Sequence, residues 1–168
     1  MSLSDRRAVL AGLGALALAG CGFRPAYAPG GTGAALQGRI QARDPASRSE
    51  FQFLSAFEER LGRPERPYFM LGYDIAVTRI EGGNIQGFGA TRILLSGQLD
   101  YRLDAPAGPG AVATSAEGRV TAETAFSTTA TQLAAQTAAE DAEARLMRML
   151  ADALADGLLA DPRLAAPA

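Results

Sequence analysis

The sequence predicts an α+β fold, a two-layer sandwich in which two helices pack on one face of a mainly antiparallel four-stranded sheet. Three long stretches alternate apolar and polar residues with a period of two, which is typical of half-buried strands. Two other stretches repeat apolar residues at the three- and four-residue spacing of amphipathic helices. The order strand, helix, three strands, helix fits two helices on one side of such a sheet.

The first 20 residues are expected to be an export signal that is removed. Arginines at positions 6 and 7 precede an unbroken run of Ala, Val, Leu and Gly over residues 8–19. A membrane-spanning helix needs about 20 apolar residues, so this run is too short to be one. Two other interpretations stay open, an uncleaved anchor helix and, for the export route, a twin-arginine signal.

The residues LAGC at positions 18–21 resemble the lipobox of bacterial lipoproteins. In such a motif the signal peptide is cut before the cysteine, which predicts cleavage between Gly20 and Cys21. The thiol and the new amino group of Cys21 would then carry acyl chains, palmitate among them, and several chains make an anchor effectively permanent. The alternative for this lone cysteine is a buried structural thiol.

Residues 21–33, CGFRPAYAPGGTG, are interpreted as a lipidated tether without regular structure. Their Gly and Pro content favours an extended linker that would reach at most about 40 Å. Residues 34–160 form the predicted sandwich domain, which begins with a weak alternation over 34–45 that predicts a short first strand. Ser49 is the candidate N-cap of a helix from Glu50 to Leu61, which Gly62 would end.

The other three strands are predicted over residues 68–80, 91–103 and 111–126. In the second of these, Leu95, Leu99 and Leu103 alternate with polar residues and should face the helices. A long Ala-rich helix is predicted over residues 132–159, with a stripe that includes Leu146, Leu150, Leu154 and Leu158. Residues 161–168 are expected to be a frayed tail.

Composition excludes most catalytic chemistry. Without residues 1–20 the chain keeps 148 residues with 14 arginines and 17 acidic residues, no Lys and no His, so its net charge is about −3. With Cys21 acylated, neither a Ser-His-Asp nor a Cys-His nucleophile can form, nor a Cys/His zinc site or a Schiff-base lysine. We therefore expect no enzyme, no catalytic residue, no metal and no cofactor, with an acidic pair as the one catalytic alternative. The charge gives no indication of a nucleic-acid partner.

The motif CGFRPAY directly after the lipobox resembles the start of the mature LPS-assembly lipoprotein family, LptE. The segment GFGATRILLSGQLDYRLD, the strand that follows it and the closing helix agree with that family in order. The resemblance implies a lipid-anchored protein of the outer membrane, facing the periplasm, that plugs the LptD barrel and supports its assembly for lipopolysaccharide transport. It implies LptD as partner and lipopolysaccharide as a second candidate contact.

Six residues are candidates for contact with a partner or with lipopolysaccharide. In the first group Pro25 favours an extended backbone before it, so aromatic side chains could lie on an apolar wall while an arginine faces a phosphate or carboxylate. The second group belongs to EGGNIQGFGATR, residues 81–92, a Gly-rich connection predicted to be a hairpin tip. The six residues are Phe23, Arg24, Tyr27, Ile85, Phe88 and Arg92.

Each group has a simpler alternative. The first could be only a spacer, and the second only a flexible tip. For the whole chain, the alternative function is an accessory lipid- or ligand-binding lipoprotein of another envelope transporter.

Overall fold

The computed structural model describes residues 25–85, 89–105, 115–128 and 131–164 and confirms the predicted α+β class. Within these ranges the elements are three helices, four strands and a short 3-10 helix, Pro162–Leu164. In chain order they are α1 (Thr32–Leu36), β1 (Ile40–Ala42), α2 (Arg48–Leu61), β2 (Phe69–Ile85), β3 (Gly89–Asp104), β4 (Ser115–Ser127) and α3 (Gln132–Ala160).

The four strands form one sheet in the order β1-β2-β3-β4. β1 pairs with β2 in parallel, from Ile40 opposite Phe69 to Ala42 opposite Leu71. This parallel pair follows from the connection, because α2 carries the chain back to the starting end of the sheet before β2 begins. The β2–β3 and β3–β4 pairs are antiparallel.

The core lies between the sheet and the helices. Leu95, Leu99 and Leu103 are fully buried, which confirms the predicted register of β3. On α3 the predicted leucine stripe is fully buried as well, and Met147, Ala151 and Ala155, which the prediction omitted, are buried beside it. Gly97 on β3 lets α3 approach the sheet closely. A Cβ atom on Gly97 would lie 3.0 Å from Leu150 Cδ1 and 3.1 Å from Leu146 Cδ2.

The start of α2 differs from the prediction by two residues. The N-cap is Ser47, whose Oγ accepts a hydrogen bond from the backbone N–H of Glu50 at 3.1 Å. Ser49 lies inside the helix and donates its hydroxyl hydrogen bond to Glu143 Oε1 at 2.5 Å. Both serines are good N-caps by type, and the tertiary contact with α3 decides between them.

The prediction of a strand over 34–45 is wrong for most of that range. Residues Thr32–Leu36 are helical and Leu36 is fully buried, so the strand is limited to Ile40–Ala42. Gly38, with φ of 65°, turns the chain after the helix, and its N–H donates to Leu61 O at 2.7 Å. That contact with the end of α2 is a tertiary feature, which a local alternation could not indicate.

Both ends of the described chain are more ordered than predicted. Residues 25–33 of the predicted tether form turns, with hydrogen bonds from Ala28 N to Pro25 O and from Gly33 N to Ala26 O at 3.0 and 2.8 Å. Of the predicted frayed tail, Pro162–Leu164 form the 3-10 helix, and Leu164 is buried in the core. An apolar contact with the core explains why the chain does not fray there, and residues 165–168 lie outside the described range.

Candidate functional site

Only part of the predicted site falls within the described residues. Tyr27, Ile85 and Arg92 are placed by the structure, although the side chain of Ile85 is not described. Outside the described residues lie Gly20, Cys21, Phe23, Arg24 and Phe88.

The Gly-rich segment 81–92 is mostly paired strand, so the predicted hairpin tip over that whole range is too long. The antiparallel register continues through Gly82 opposite Arg92 to Ile85 opposite Gly89. Gly83, with φ of 64°, adopts a conformation that a side chain would disfavour, and its carbonyl accepts a hydrogen bond from the Thr91 hydroxyl. The glycines therefore fit a twisted hairpin end, and the connection between the strands is limited to residues 86–88.

Arg92 lies near the hairpin end, on the face of the sheet away from the helices. Its cross-strand neighbours are Gly82 on β2 and Ser127 on β4. One step closer to the middle of the sheet, Ile80, Leu94 and Ala125 stand in one row of the same face. Ile80 is 48% exposed, so a small apolar patch adjoins the guanidinium.

The middle of this outer face is charged and internally paired. Arg119 donates to both oxygens of Asp100, at 2.6 and 3.1 Å, and this hydrogen bonding holds the pKa of Asp100 below its usual range. Arg102 donates to Asp104 at 2.9 Å, which raises the pKa of Arg102. These pairs are solvent-exposed and contribute little stability, so they give the face its polar character without holding the fold together.

Tyr27 lies at the other end of the molecule. It is half exposed in the turn before α1, and a Cβ on Gly33 would lie 2.7 Å from its ring atom Cδ1, so the ring packs on the bare glycine. The same turn lines a shallow groove with Leu159 and Pro162 at the end of α3. Residues 25–31 are therefore attached to the end of the domain where β1 and β2 begin.

The structure thus separates Tyr27 and Arg92, the members of the two predicted contact groups whose side chains are described. β2 runs for 17 residues from Phe69 to Ile85, which at ~3.3 Å per residue corresponds to about 50 Å. The hairpin end and the N-terminal segment lie at opposite ends of this strand. They form two surfaces and cannot meet the same small group on a partner.

A groove that the sequence analysis missed lies between the start of α2, the middle of β2 and α3. Val77 lies on the inward face of β2 by its alternation with the outward residues, and it is 39% exposed at the floor of this groove, next to half-buried Ile75. Glu143 on α3 stands at its rim, where it accepts from Ser49 and lies 4.0 Å from the Arg79 guanidinium. The lining residues are Ser47, Ser49, Glu50, Ile75, Val77, Glu143 and Met147.

Element lengths could have indicated this groove. α2 has 14 residues and is about 21 Å long, less than half the length of β2. It can cover only the first residues of β2, where Phe69, Leu71 and Tyr73 are buried. The inward-facing residues beyond Tyr73 therefore remain accessible beside α3.

Arg43 connects the first turn of α2 to β2. Its guanidinium donates to both oxygens of Glu50 at 2.9 and 3.0 Å, donates to Tyr73 O at 2.8 Å and lies 4.2 Å from the Tyr73 ring centre. The hydrogen bond from Arg43, followed by that from the Ala46 N–H, lowers the pKa of Glu50, whereas burial raises the pKa of Tyr73. This network joins β1, β2 and α2 at one corner of the sheet.

The described segments contain neither a metal-ligand cluster nor a membrane-crossing helix. Within them, no three His, Cys, Asp or Glu residues are grouped so that they could hold a metal ion. Among their helices, none has the length and hydropathy that a membrane crossing requires.

Comparison with known proteins gives structural matches. No family model matches the sequence, and no curated protein matches it significantly. A crystal structure of a candidate lipoprotein from Caulobacter crescentus CB15 matches with a TM-score of 0.59 and 18% identity, over 76% of this chain and 92% of its own. A minor lipoprotein from Acinetobacter baumannii matches with a TM-score of 0.53 and 12% identity, over 73% of this chain and 89% of its own.

A third structure is more distant. Rare lipoprotein B from Shewanella oneidensis has a TM-score of 0.48 and 11% identity, over 71% of this chain and 91% of its own. At these identities the first two matches establish a shared fold.

Proposed function

We propose that the protein is a lipid-anchored lipoprotein of the outer membrane that plugs the LptD barrel and supports its assembly for lipopolysaccharide transport. The main support for this proposal is the order of features along the chain. A domain with the fold of two solved lipoproteins follows the lipobox and the motif CGFRPAY. The two matches cover about nine-tenths of those proteins, so they include the whole domain and not a single hairpin.

The surface of the sheet supports a role as a plug. Large outer-membrane barrels have a polar interior, and the outer face of this sheet carries paired charges such as Arg119 with Asp100. The hairpin end projects beyond the start of α2 and carries Arg92 and the apolar Ile80. A polar outer face with one small apolar patch is suited to a protein interface that contains water and is still specific for its partner.

The proposed role is structural, without catalysis. The chain has no His and no Lys, and two aspartates of the outer face, Asp100 and Asp104, are paired with arginines. Lipopolysaccharide would meet this protein through its phosphates, for which Arg92 is the exposed cation nearest the hairpin end.

Two measurements test the proposal. Intact-mass analysis of the membrane-extracted protein should show a chain that begins at an acylated Cys21, and Cys21→Ser should leave an unprocessed precursor. Affinity purification through the C-terminus should recover the LptD barrel with the wild-type protein. Normal maturation of Cys21→Ser would contradict the lipoprotein assignment. Recovery of a small ligand without a barrel would favour the accessory lipid- or ligand-binding function instead.

A further inference from the structure

β2 has an edge that is open along much of its length. β1 pairs only with the first three residues of β2, Phe69 to Leu71. The next carbonyl on that side, that of Tyr73, accepts a hydrogen bond from the Arg43 guanidinium. From Ile75 onward, no described residue makes a backbone or side-chain hydrogen bond to β2 on that side. Long open edges are uncommon in soluble proteins because unpaired backbone groups attract further strands.

The direction of the backbone groups identifies the available donors and acceptors. On the β1 side, Phe69 N donates to Arg39 O and Leu71 O accepts from Arg43 N, at 3.0 and 2.9 Å. Up to residue 82, odd-numbered residues therefore point their N–H and C=O groups to the open edge, and even-numbered residues point theirs to β3. In the stretch 75–82 the odd residues are Ile75, Val77, Arg79 and Glu81.

The groove lies directly beside this edge. Ile75, Val77 and Met147 form its apolar part, while Arg79 and Glu143 stand at its rim. A strand added to β2 would place every second side chain on the helix side of the sheet, over this groove. An open edge for main-chain hydrogen bonds next to a groove for alternate side chains is the arrangement that binds extended peptides.

We propose that residues 75–82 of β2 accept an extended segment of the barrel partner as an added strand, with an apolar side chain in the groove. This inference rests on the proposed function. A closed barrel has no free strand edge, so the segment must come from a loop or a terminal extension that lies in the lumen. The added segment carries polar or charged side chains beside Arg79 and Glu143, and it carries an apolar side chain next to Val77.

A second copy of the chain fits this edge less well. Its own β2 has 17 residues, whereas the open stretch is bounded at one end by β1 and Arg43 and is distorted at the other by Gly83. An antiparallel β2 pair in full register would bring the hairpin of each copy against Arg43 of the other. A short segment of about eight residues meets neither obstacle.

Proline variants test the edge, because proline removes one N–H and is tolerated on edge strands. Val77→Pro and Glu81→Pro each remove a donor on the open side and leave the β3 ladder intact, whereas Val77→Ala keeps the donor and serves as the matched control. The tagged full-length chain is co-expressed with the complete LptD barrel, and barrel recovery is compared with the melting temperature of the purified variant. We expect both proline variants to lower recovery about tenfold or more at unchanged melting temperature, and Val77→Ala to lower it by much less.

Hydrogen exchange provides a second measurement without any substitution. The amides of Val77, Arg79 and Glu81 should exchange freely in the isolated protein and at least about tenfold more slowly in the barrel complex. If the wild-type protein recovers LptD but these amides remain unprotected, or the proline variants recover LptD equally well, the edge proposal is wrong and the proposed function stands. If the wild-type protein recovers no LptD, the proposed function itself fails. A dimer in the absence of LptD that the proline variants convert to a monomer would assign the edge to a second copy and overturn the proposal.

Discussion

Gly97 and Gly72 allow a direct test of how α3 packs on the sheet. Both are glycines inside strands that pair with a neighbour, but Gly97 faces α3 and Gly72 faces outward. A Cβ on Gly97 would lie 3.0 to 3.2 Å from methyl carbons of Leu146 and Leu150, which are fully buried. A Cβ on Gly72 would meet only Arg102 O, at 3.9 Å.

The substitution of valine at each position should therefore have opposite effects. Overpacking a filled core costs about 1 to 3 kcal/mol, and valine adds two methyl groups beyond the Cβ, so Gly97→Val should lie near the upper end of that range. Gly72→Val should be neutral or stabilising by up to about 1 kcal/mol, because valine favours strands and reduces the entropy of the unfolded chain.

Thermal unfolding followed by circular dichroism measures the difference. For a domain of this size 1 kcal/mol corresponds to roughly 2 to 4 °C, so Gly97→Val should melt about 6 to 12 °C lower if the cost is near 3 kcal/mol. Urea titration at constant temperature should rank the variants in the same order. Equal melting temperatures for the two variants would refute the close approach of α3 to the sheet at Gly97.

Two further predictions concern the core and the Arg43 network. Leu95→Ala should cost about 2 to 5 kcal/mol because its side chain is fully buried, whereas exposed Arg102→Ala should leave the urea midpoint nearly unchanged; equal midpoints for the two variants would mean that the register of β3 is wrong. The lowered pKa of Glu50 means that its charged form stabilises the fold above its usual pKa of 4.5 and that this stability is lost as the pH falls through the lowered value. The gap in urea midpoint between wild type and Glu50→Gln should therefore narrow from pH ~7 to pH ~3, and a constant gap would contradict the interaction with Arg43.

Local pattern predicted the parts of the fold that depend on one strand or helix and its own buried face. Leu95, Leu99 and Leu103 alternate because the strand itself has two faces, so their burial was predictable once a core existed. The start of α2 was not predictable from local pattern, because Ser47 and Ser49 are equally good N-caps by residue type. The hydrogen bond from Ser49 to Glu143 on α3 leaves Ser47 as the cap. The buried position of Leu164 depends on where the end of α3 meets the core, which no local pattern records.

The candidate site was less predictable than the fold. The sequence pattern of β2 continues its alternation through Val77, but burial depends on whether α2 reaches that far along the strand. Backbone edges leave no mark in the side-chain pattern, so the open side of β2 became visible only from the strand order and the shortness of β1. The hairpin residues were misassigned for a related reason, because glycines that permit a twisted strand end are typical of loops as well.

The ordered turn at residues 25–31 has a consequence for how the molecule is held at a membrane. If Cys21 carries the acyl chains, only three residues separate it from the first described position, Pro25, and a chain of that length spans at most roughly 14 Å. The domain would then be held by a short linker attached at one end of its long axis, and not by a linker of about 40 Å. Such a short linker fixes the height of that end above the lipid headgroups, so tilting is the main motion left to the domain. Small changes of tilt would move the hairpin end, about 50 Å away, over a large distance. The hairpin end would therefore reach a barrel in the same membrane through changes in the tilt of the domain. Inserting a flexible spacer after Arg24 would relax that geometry and lower the effective concentration of the hairpin end at its partner.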